Sequence, residues 1–176
     1  MSKHWTDKLV VMGACDDAVE WARGYPTLAA AWKACDRADW MLWLLGKLCC
    51  TLAQRKKLAL AACSCARTAL KYLPRGERHP LLAIKTAERW ARGTHGVTLE
   101  DVRAAWAAAW AAANDAAAWA AAWAAWAAAW AAGAAGAAAW AAGAATWDAR
   151  SKALSRMSNI VRKHYPIPPR WGGEDE

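Results

Sequence analysis

From Thr6 to His164 apolar residues recur at helical spacing, interrupted by short breaks marked with Gly and Pro, and no stretch alternates apolar and polar positions as a half-buried strand would. Thr6 to Arg23 reads as a first helix, with Thr6 as its N-cap and Gly24 just past its end. Tyr25-Pro26 breaks the pattern, and Thr27 caps a second helix that runs to about Asp36. The run Trp40-Met41-Leu42-Trp43-Leu44-Leu45 belongs to a third helix and is expected to be the most buried short stretch. Thr51 to Leu73 forms a fourth, stopped by Pro74. Its apolar surface comes from Leu52, Leu58, Leu60, Ala62, Cys63, Ala66, Ala69 and Leu70, with Arg55, Lys56, Lys57, Arg67 and Lys71 outside it. After a loop through His79, Pro80 suits the first turn of a fifth helix ending near Arg92-Gly93. Thr98 with Asp101 resembles a capping box, Val97 can staple onto Val102, and together they open the last helical stretch.

That last stretch has an unusual composition. Between Ala104 and Thr146 almost every residue is Ala or Trp, and Asp115 is the only charge. Alanine is the best helix former, so the background makes the helix while the indoles supply its packing surface. Trp119, Trp123, Trp126, Trp130, Trp140 and Trp147 fall on one stripe roughly 120° wide, at 100° per residue, and the first five of them are the expected core-packing residues. Trp106 and Trp110 lie on the other side of a straight helix. Either one long helix buries two faces, or the chain breaks at Asn114-Asp115, both of which favour caps. The fold class is all-α: a single-domain bundle of about six helices over residues 1–164, with a long Ala/Trp-rich C-terminal helical segment at 98–164. Residues 165–176, rich in Pro, Gly and acids, are expected to form a flexible tail. A short internal echo is also present. Ala14-Cys15-Asp16-Asp17-Ala18 is matched by Ala34-Cys35-Asp36-Arg37-Ala38, with Trp21 and Trp40 following.

Composition narrows the chemistry. There are 15 Trp, 3 Tyr and no Phe in 176 residues, so the large core side chains are mainly indoles, whose N–H groups need partners if buried. The six cysteines include an adjacent pair and a Cys-x-Cys, not two Cys-x-x-Cys halves, and the four histidines are scattered. Small buried thiols are expected, with no zinc site and no cofactor. The start, Met1 to Trp5, lacks the apolar run of a secretory signal, which points to a cytoplasmic protein. The uncharged Ala/Trp segment is long enough to span a bilayer. Ala is only marginally apolar and Trp favours the interface, so no membrane partner is expected.

The net charge of +8 is concentrated. Between Thr51 and Arg92 there are 10 Lys or Arg against Glu77 and Glu88, and the rest of the chain is neutral on balance. Arg55, Lys56, Lys57, Arg67, Lys71 and Arg89 form the expected partner-binding basic face, suited to nucleic acid, a nucleotide or an acidic protein. Catalytic raw material consists of Asp16, Asp17 and Glu20, Asp36 and Asp39, and His79. Glu88 with Arg92 and Lys85 reads as surface pairing. No Ser or Cys comes with a recognisable base and orienting group, so the chain reads as a non-enzymatic binding protein.

Several strings carry a family resemblance. Ala14-Cys-Asp-Asp-Ala-Val-Glu-Trp-Ala-Arg-Gly24, Trp40-Met-Leu-Trp43, Arg55-Lys-Lys-Leu58 through Ala62-Cys-Ser-Cys-Ala66, Thr86-Ala-Glu-Arg-Trp-Ala-Arg-Gly93 and Asn159-Ile-Val-Arg-Lys-His-Tyr-Pro166 resemble a family of bacterial and phage immunity proteins, the Imm-five-like domain. In that family the low-complexity helix more often carries Tyr than Trp. The resemblance implies a small cytosolic helical protein that sequesters or neutralises a protein partner, such as a toxin or defence protein, with no catalytic residues to carry over. Nuclease toxins are usually basic and their inhibitors acidic, so a chain of this charge suits an acidic or non-nuclease target better. The alternative is a phage-type anti-defence protein or sponge that binds a nucleotide or nucleic acid through the basic face. Self-association into a homo-oligomer through the Ala/Trp stripe is a third expectation.

Overall fold

The computed structural model describes residues 4–72, 76, 78–111 and 147–171, and every regular element among them is helical. Among the described residues there are eight α-helices, where about six were expected for the whole chain: α1 (Asp7–Val11), α2 (Asp16–Arg23), α3 (Leu28–Ala34), α4 (Ala38–Leu48), α5 (Leu52–Arg67), α6 (His79–Ala91), α7 (Leu99–Ala111) and α8 (Trp147–His164), with a 3-10 turn at Leu70–Tyr72. The five core-packing tryptophans of the stripe, and the break weighed at Asn114-Asp115, lie outside the described residues. The long C-terminal segment is therefore seen only at its two ends, α7 and α8.

The first predicted helix is two helices because of Gly13. Its φ of +81° is one that L side chains rarely adopt. Gly13 N–H bonds to the Val10 carbonyl at 2.9 Å and Ala14 N–H reaches back to Leu9 at 3.0 Å, the paired bonds that close a helix on a left-handed glycine. Thr6 precedes α1 but does not cap it, its hydroxyl being bonded to His4 Nδ1 at 2.8 Å. Gly93 ends α6 in the same way as Gly13 ends α1, as the sequence pattern indicates. Thr27 accepts from Ala30 N–H at 3.2 Å to start α3, and the Thr98–Asp101 box forms with contacts of 2.7 and 3.2 Å. The fourth predicted helix ends at Arg67, short of Pro74. Thr68 gives its hydroxyl proton to the Cys65 carbonyl at 2.7 Å, and backbone bonds three residues apart tighten the chain into the 3-10 turn. Leu52, expected on its apolar face, is exposed at the first turn.

The core sits where α4, α5, α6 and α8 meet. Met41, Leu42 and Leu45 of α4 are buried, as the Trp40–Leu45 pattern predicts, and meet Leu58 of α5, Ile84 of α6 and Met157 and Val161 of α8 in one cluster. α6 packs between α5 and α7, while α8 packs on α4 and α5. Small residues, Ala59, Ala62, Cys63 and Ala66 on α5 with Ala83 and Ala87 on α6, let those two backbones approach. Cys63 Sγ bonds the Ile84 carbonyl at 3.8 Å, and Cys65 Sγ bonds that of Met157 at 3.7 Å.

The C-terminal end of α8 fastens the N-terminal helices to this core. Arg162 donates to the carbonyls of Trp32 and Cys35 at the end of α3, at 3.3 and 2.5 Å, and to Ser158 and Asn159 on its own helix. Trp32 is buried and returns the contact, its indole N–H donating to the Tyr165 carbonyl at 3.0 Å. Tyr165, the first residue of the predicted tail, is itself buried.

Candidate partner-binding site

Five indoles, one from the turn before α1 and four from α2, α3 and α4, converge on one small apolar cleft. Trp5, Trp21, Trp32, Trp40 and Trp43 surround a cavity of about 50 Å³ whose remaining wall includes Leu28, Cys35 and Met41. Trp5 is fixed by its N–H to the Tyr25 carbonyl at 2.8 Å and Trp32 by its bond to Tyr165. Trp21 lies between Tyr25 and Trp40, with ring centroids 4.7 and 5.6 Å away. Trp21, Trp40 and Trp43 are only half-buried, so the cleft presents aromatic surface to the outside.

Cations occupy the outer ring faces. The Arg37 guanidinium stacks 4.3 Å from the Trp40 ring and is held there by two bonds to Asp39, of 2.9 and 2.6 Å. Arg37 is thereby kept firmly charged, its pKa raised by the Asp39 hydrogen bonds. Lys47, exposed on α4, lies 5.5 Å from the Trp43 ring. A second cation is disfavoured at these faces, whereas an apolar group carrying a carboxylate would find both the indoles and Lys47.

The echo noted in the sequence is the signal that could have located this cleft. Its first copy leads into α2 with Cys15 at the N-cap, and its second leads into α4. The tryptophans that follow the two copies, Trp21 and Trp40, are the pair in ring contact.

The six residues of the expected basic face are spread over α5, the turn after it and α6. Arg55, Lys57, Lys71 and Arg89 are exposed and Lys56 is half-buried. Lys56 lies 5.8 Å from the Trp90 ring and Lys57 4.5 Å from that of Tyr165, on different neighbours of α5. Arg67 is exposed too, but its guanidinium reaches across to α6, where it holds Glu88 with two bonds of 2.7 Å. Glu88 is 7% exposed. It is thus a buried inter-helix anchor, and the sequence reading of a surface pair with Arg92 and Lys85 is corrected. Arg92 adds a longer contact at 3.7 Å.

The catalytic raw material does not assemble. Asp16, Asp17 and Glu20 are exposed along α2, Asp36 is exposed, and Asp39 is committed to Arg37. Cys35, Cys49, Cys63 and Cys65 are buried as expected, but Cys15 and Cys50 are exposed. Burial pushes the Cys35 thiol up to about 11 and that of Cys65 up to about 12, so both are protonated near neutral pH. Among the described residues no group of three His, Cys, Asp or Glu could hold a metal ion, and no helix is long and apolar enough to cross a membrane.

One contact resembles a nucleophile and base: Ser64 Oγ lies 3.1 Å from His164 Nε2. The Ser64 hydroxyl gives its proton to the Leu60 carbonyl at 2.9 Å, so the imidazole must donate to Ser64. The pair is a fastening between α5 and α8, arranged the wrong way round for activating the hydroxyl. Burial first, and the Lys57 ammonium second, lower the His164 pKa below its usual value of 6.5. The folded protein then binds fewer protons than the unfolded chain at mildly acid pH. Stability from this site is present above about pH 6.5 and is lost as pH falls towards the lowered folded value. The urea midpoint is expected to drop between about pH 7.5 and about pH 5.5 in the wild type, and to drop less in His164→Gln. Equal drops in both proteins would show that His164 does not carry the effect.

No family model, curated protein or solved structure matches the chain.

Proposed function

We infer that this chain is a non-enzymatic binding protein that sequesters a protein partner, in the manner of the immunity proteins its strings resemble. The observation that carries this reading is the convergence of five indoles on one small cleft, with Arg37 stacked on Trp40. Interfaces draw most of their energy from Trp, Tyr and Arg grouped in such pockets. The cleft takes one apolar side chain of the partner, and Lys47 meets a neighbouring carboxylate. The excess positive charge of α5 and α6 draws an acidic partner in at longer range. Partner capture requires no reaction, so its energetics rest on these groups alone.

The test is retention of a partner by the tagged full chain from a lysate of the native host, with protein and small-molecule fractions both read by mass spectrometry. A stoichiometric acidic protein is expected on the wild type and not on Trp40→Ala, which truncates the half-buried face of the cleft. Affinity for the purified partner should fall about tenfold or more, the usual scale for an aromatic anchor. Circular dichroism of the variant controls for folding. Reversal of Arg55, Lys56 and Lys57 to Glu should slow association and reduce its salt dependence. A bound nucleotide with no protein would overturn the reading in favour of the basic residues beside Trp90 and Tyr165. Capture undiminished by Trp40→Ala would remove the cleft from the account.

A further inference from the structure

The outward line of α6 carries a row of cations. Arg78 at its N-cap, Lys85, Arg89, and Arg92 at its C-cap are all exposed, with exposed Leu82 between the first two. At helical spacing the four fall within about 60° of one another and extend over about 21 Å. Ala83, Ile84, Ala87 and Ala91, on the opposite side, are buried. Lys56 of α5 joins the row at its C-terminal end, its ammonium 5.8 Å from the Trp90 ring and close to Gly93. Of these cations the expected basic face contained only Lys56 and Arg89. None of the row positions carries an acid. Glu88, beside the row, is buried and answered by two bonds from Arg67, and the 3.7 Å contact of Arg92 leaves that side chain 62% exposed. Asp101 of α7 feels the Arg89 charge but is bonded to the Thr98 amide and hydroxyl. Even with Arg67, Glu88 and Asp101 included, five cations face two acids.

We propose that this row docks the phosphate backbone of a nucleic-acid duplex, without reading its bases. The pattern of charge decides in favour of that occupant. One strand of a duplex carries a negative charge about every 3.4 Å without interruption, so about six phosphates pass along the row. Long-range attraction of an acidic protein needs only the net charge, and its carboxylates come interspersed with other side chains. Three of the four cations are Arg, whose planar fork suits phosphate oxygens. α6 is flanked by α5 and α7, so it lies along the outside of a duplex and does not enter a groove, where base edges are read. Single strands are held by stacking bases on aromatic rings, and the ring beside the row, Trp90, already carries the Lys56 ammonium. The row shares no residue with the indole cleft, so the proposal does not rest on the partner-binding reading.

Fluorescence anisotropy of the full chain with a labelled duplex of about 20 base pairs tests it, read from about 50 to about 200 mM salt. Two duplexes of unrelated sequence are expected to bind alike, with a log–log salt slope of about −3.6 from four contacts at about 0.9 each. Lys85→Gln and Arg89→Gln should each reduce the slope by about 1 and weaken binding several-fold at the lower salt, with unchanged circular dichroism. Lys33→Gln, which removes an exposed charge from α3, and Trp40→Ala should stay close to the wild type in both quantities. No binding at the lower salt overturns the proposal. So does a loss for Lys33→Gln equal to that for Lys85→Gln, which would reduce the effect to net charge. Tighter binding of the single strand overturns it too, as does displacement of the duplex by poly-glutamate at equal charge, which would assign the row to acidic protein. Trp40→Ala alters the cleft and Lys85→Gln the row, so failure of one reading is distinguishable from failure of the other.

Discussion

Replacing Arg162 by Met is expected to lower stability by about 3 kcal/mol, read as a fall in the urea midpoint with little change in slope. The guanidinium closes the end of α3 from the side, donating to the carbonyls of Trp32 and Cys35, and returns its other amino group to Ser158 and Asn159. The last carbonyls of a helix have no partner within it, so removing the donor strands them in a half-buried place. The positive charge also sits at the negative end of the helix dipole. Bonds to a charged donor are worth about 1.5–3 kcal/mol each, less the cost of desolvating the guanidinium, which gives the expected figure. Lysine at 162 should recover only a minor part, since a single ammonium cannot reach both carbonyls and both side chains. Lys163→Met removes the same charge from an exposed neighbour and should be nearly silent. A loss under about 1 kcal/mol for Arg162→Met would show that α3 is held by the Trp32–Tyr165 contact alone.

The contrast between Arg162 and Lys163 marks where local reading of this chain stops. Helix starts were legible wherever a side chain bonds its own first turn: Thr27, Thr51 and Thr98 all cap, and Pro80 enters α6 in its first turn. Helix ends were legible at Gly93 but not at Gly13, because continuous apolar spacing on both sides of Gly13 masked its left-handed backbone. The end of α3 was missed by two residues, and its partners come from a residue about 130 positions away, beyond any local pattern. Burial followed the pattern at Met41, Leu42 and Leu45, whose spacing keeps one face inward.

The candidate site was legible in parts but not as a site. Each indole reads as a core residue on its own helix, and four of the five are in fact half-buried or at the cleft edge once α1 to α4 are folded together. The echo that ends in Trp21 and Trp40 was the one local sign that two of them meet. Positive charge was legible from composition, but whether each cation faces solvent or a buried acid depends on the angle between α5 and α6. That angle turned Arg67 towards Glu88 and left Arg55 and Arg89 outside.

That buried pair should respond unequally to removal of its two members. Arg67→Ala is expected to cost about 3 kcal/mol near neutral pH, because it leaves the Glu88 carboxylate buried with Arg92, 3.7 Å away and largely exposed, and the more weakly acting Lys85 in place of two bonds of 2.7 Å. Glu88→Ala should cost about half as much, since the Arg67 side chain is already 40% exposed and can turn to water. The Arg67 hydrogen bonds hold the Glu88 pKa below its ordinary 4.5. The folded state therefore binds fewer protons than the unfolded chain in acid. The pair's contribution is present above about pH 4.5 and is lost as pH falls through the lowered value. In Arg67→Ala the carboxyl loses its main reason to stay ionised, so it takes up a proton at higher pH and its burial ceases to cost. The gap between wild type and Arg67→Ala is expected to narrow steadily as the urea midpoint is followed from about pH 7 to about pH 4. Glu88→Ala should show no comparable recovery from this source, because it carries no carboxyl to protonate. Equal costs for the two variants at neutral pH, or a gap that does not change with pH, would mean that Glu88 is held in α6 by packing and not by its charge.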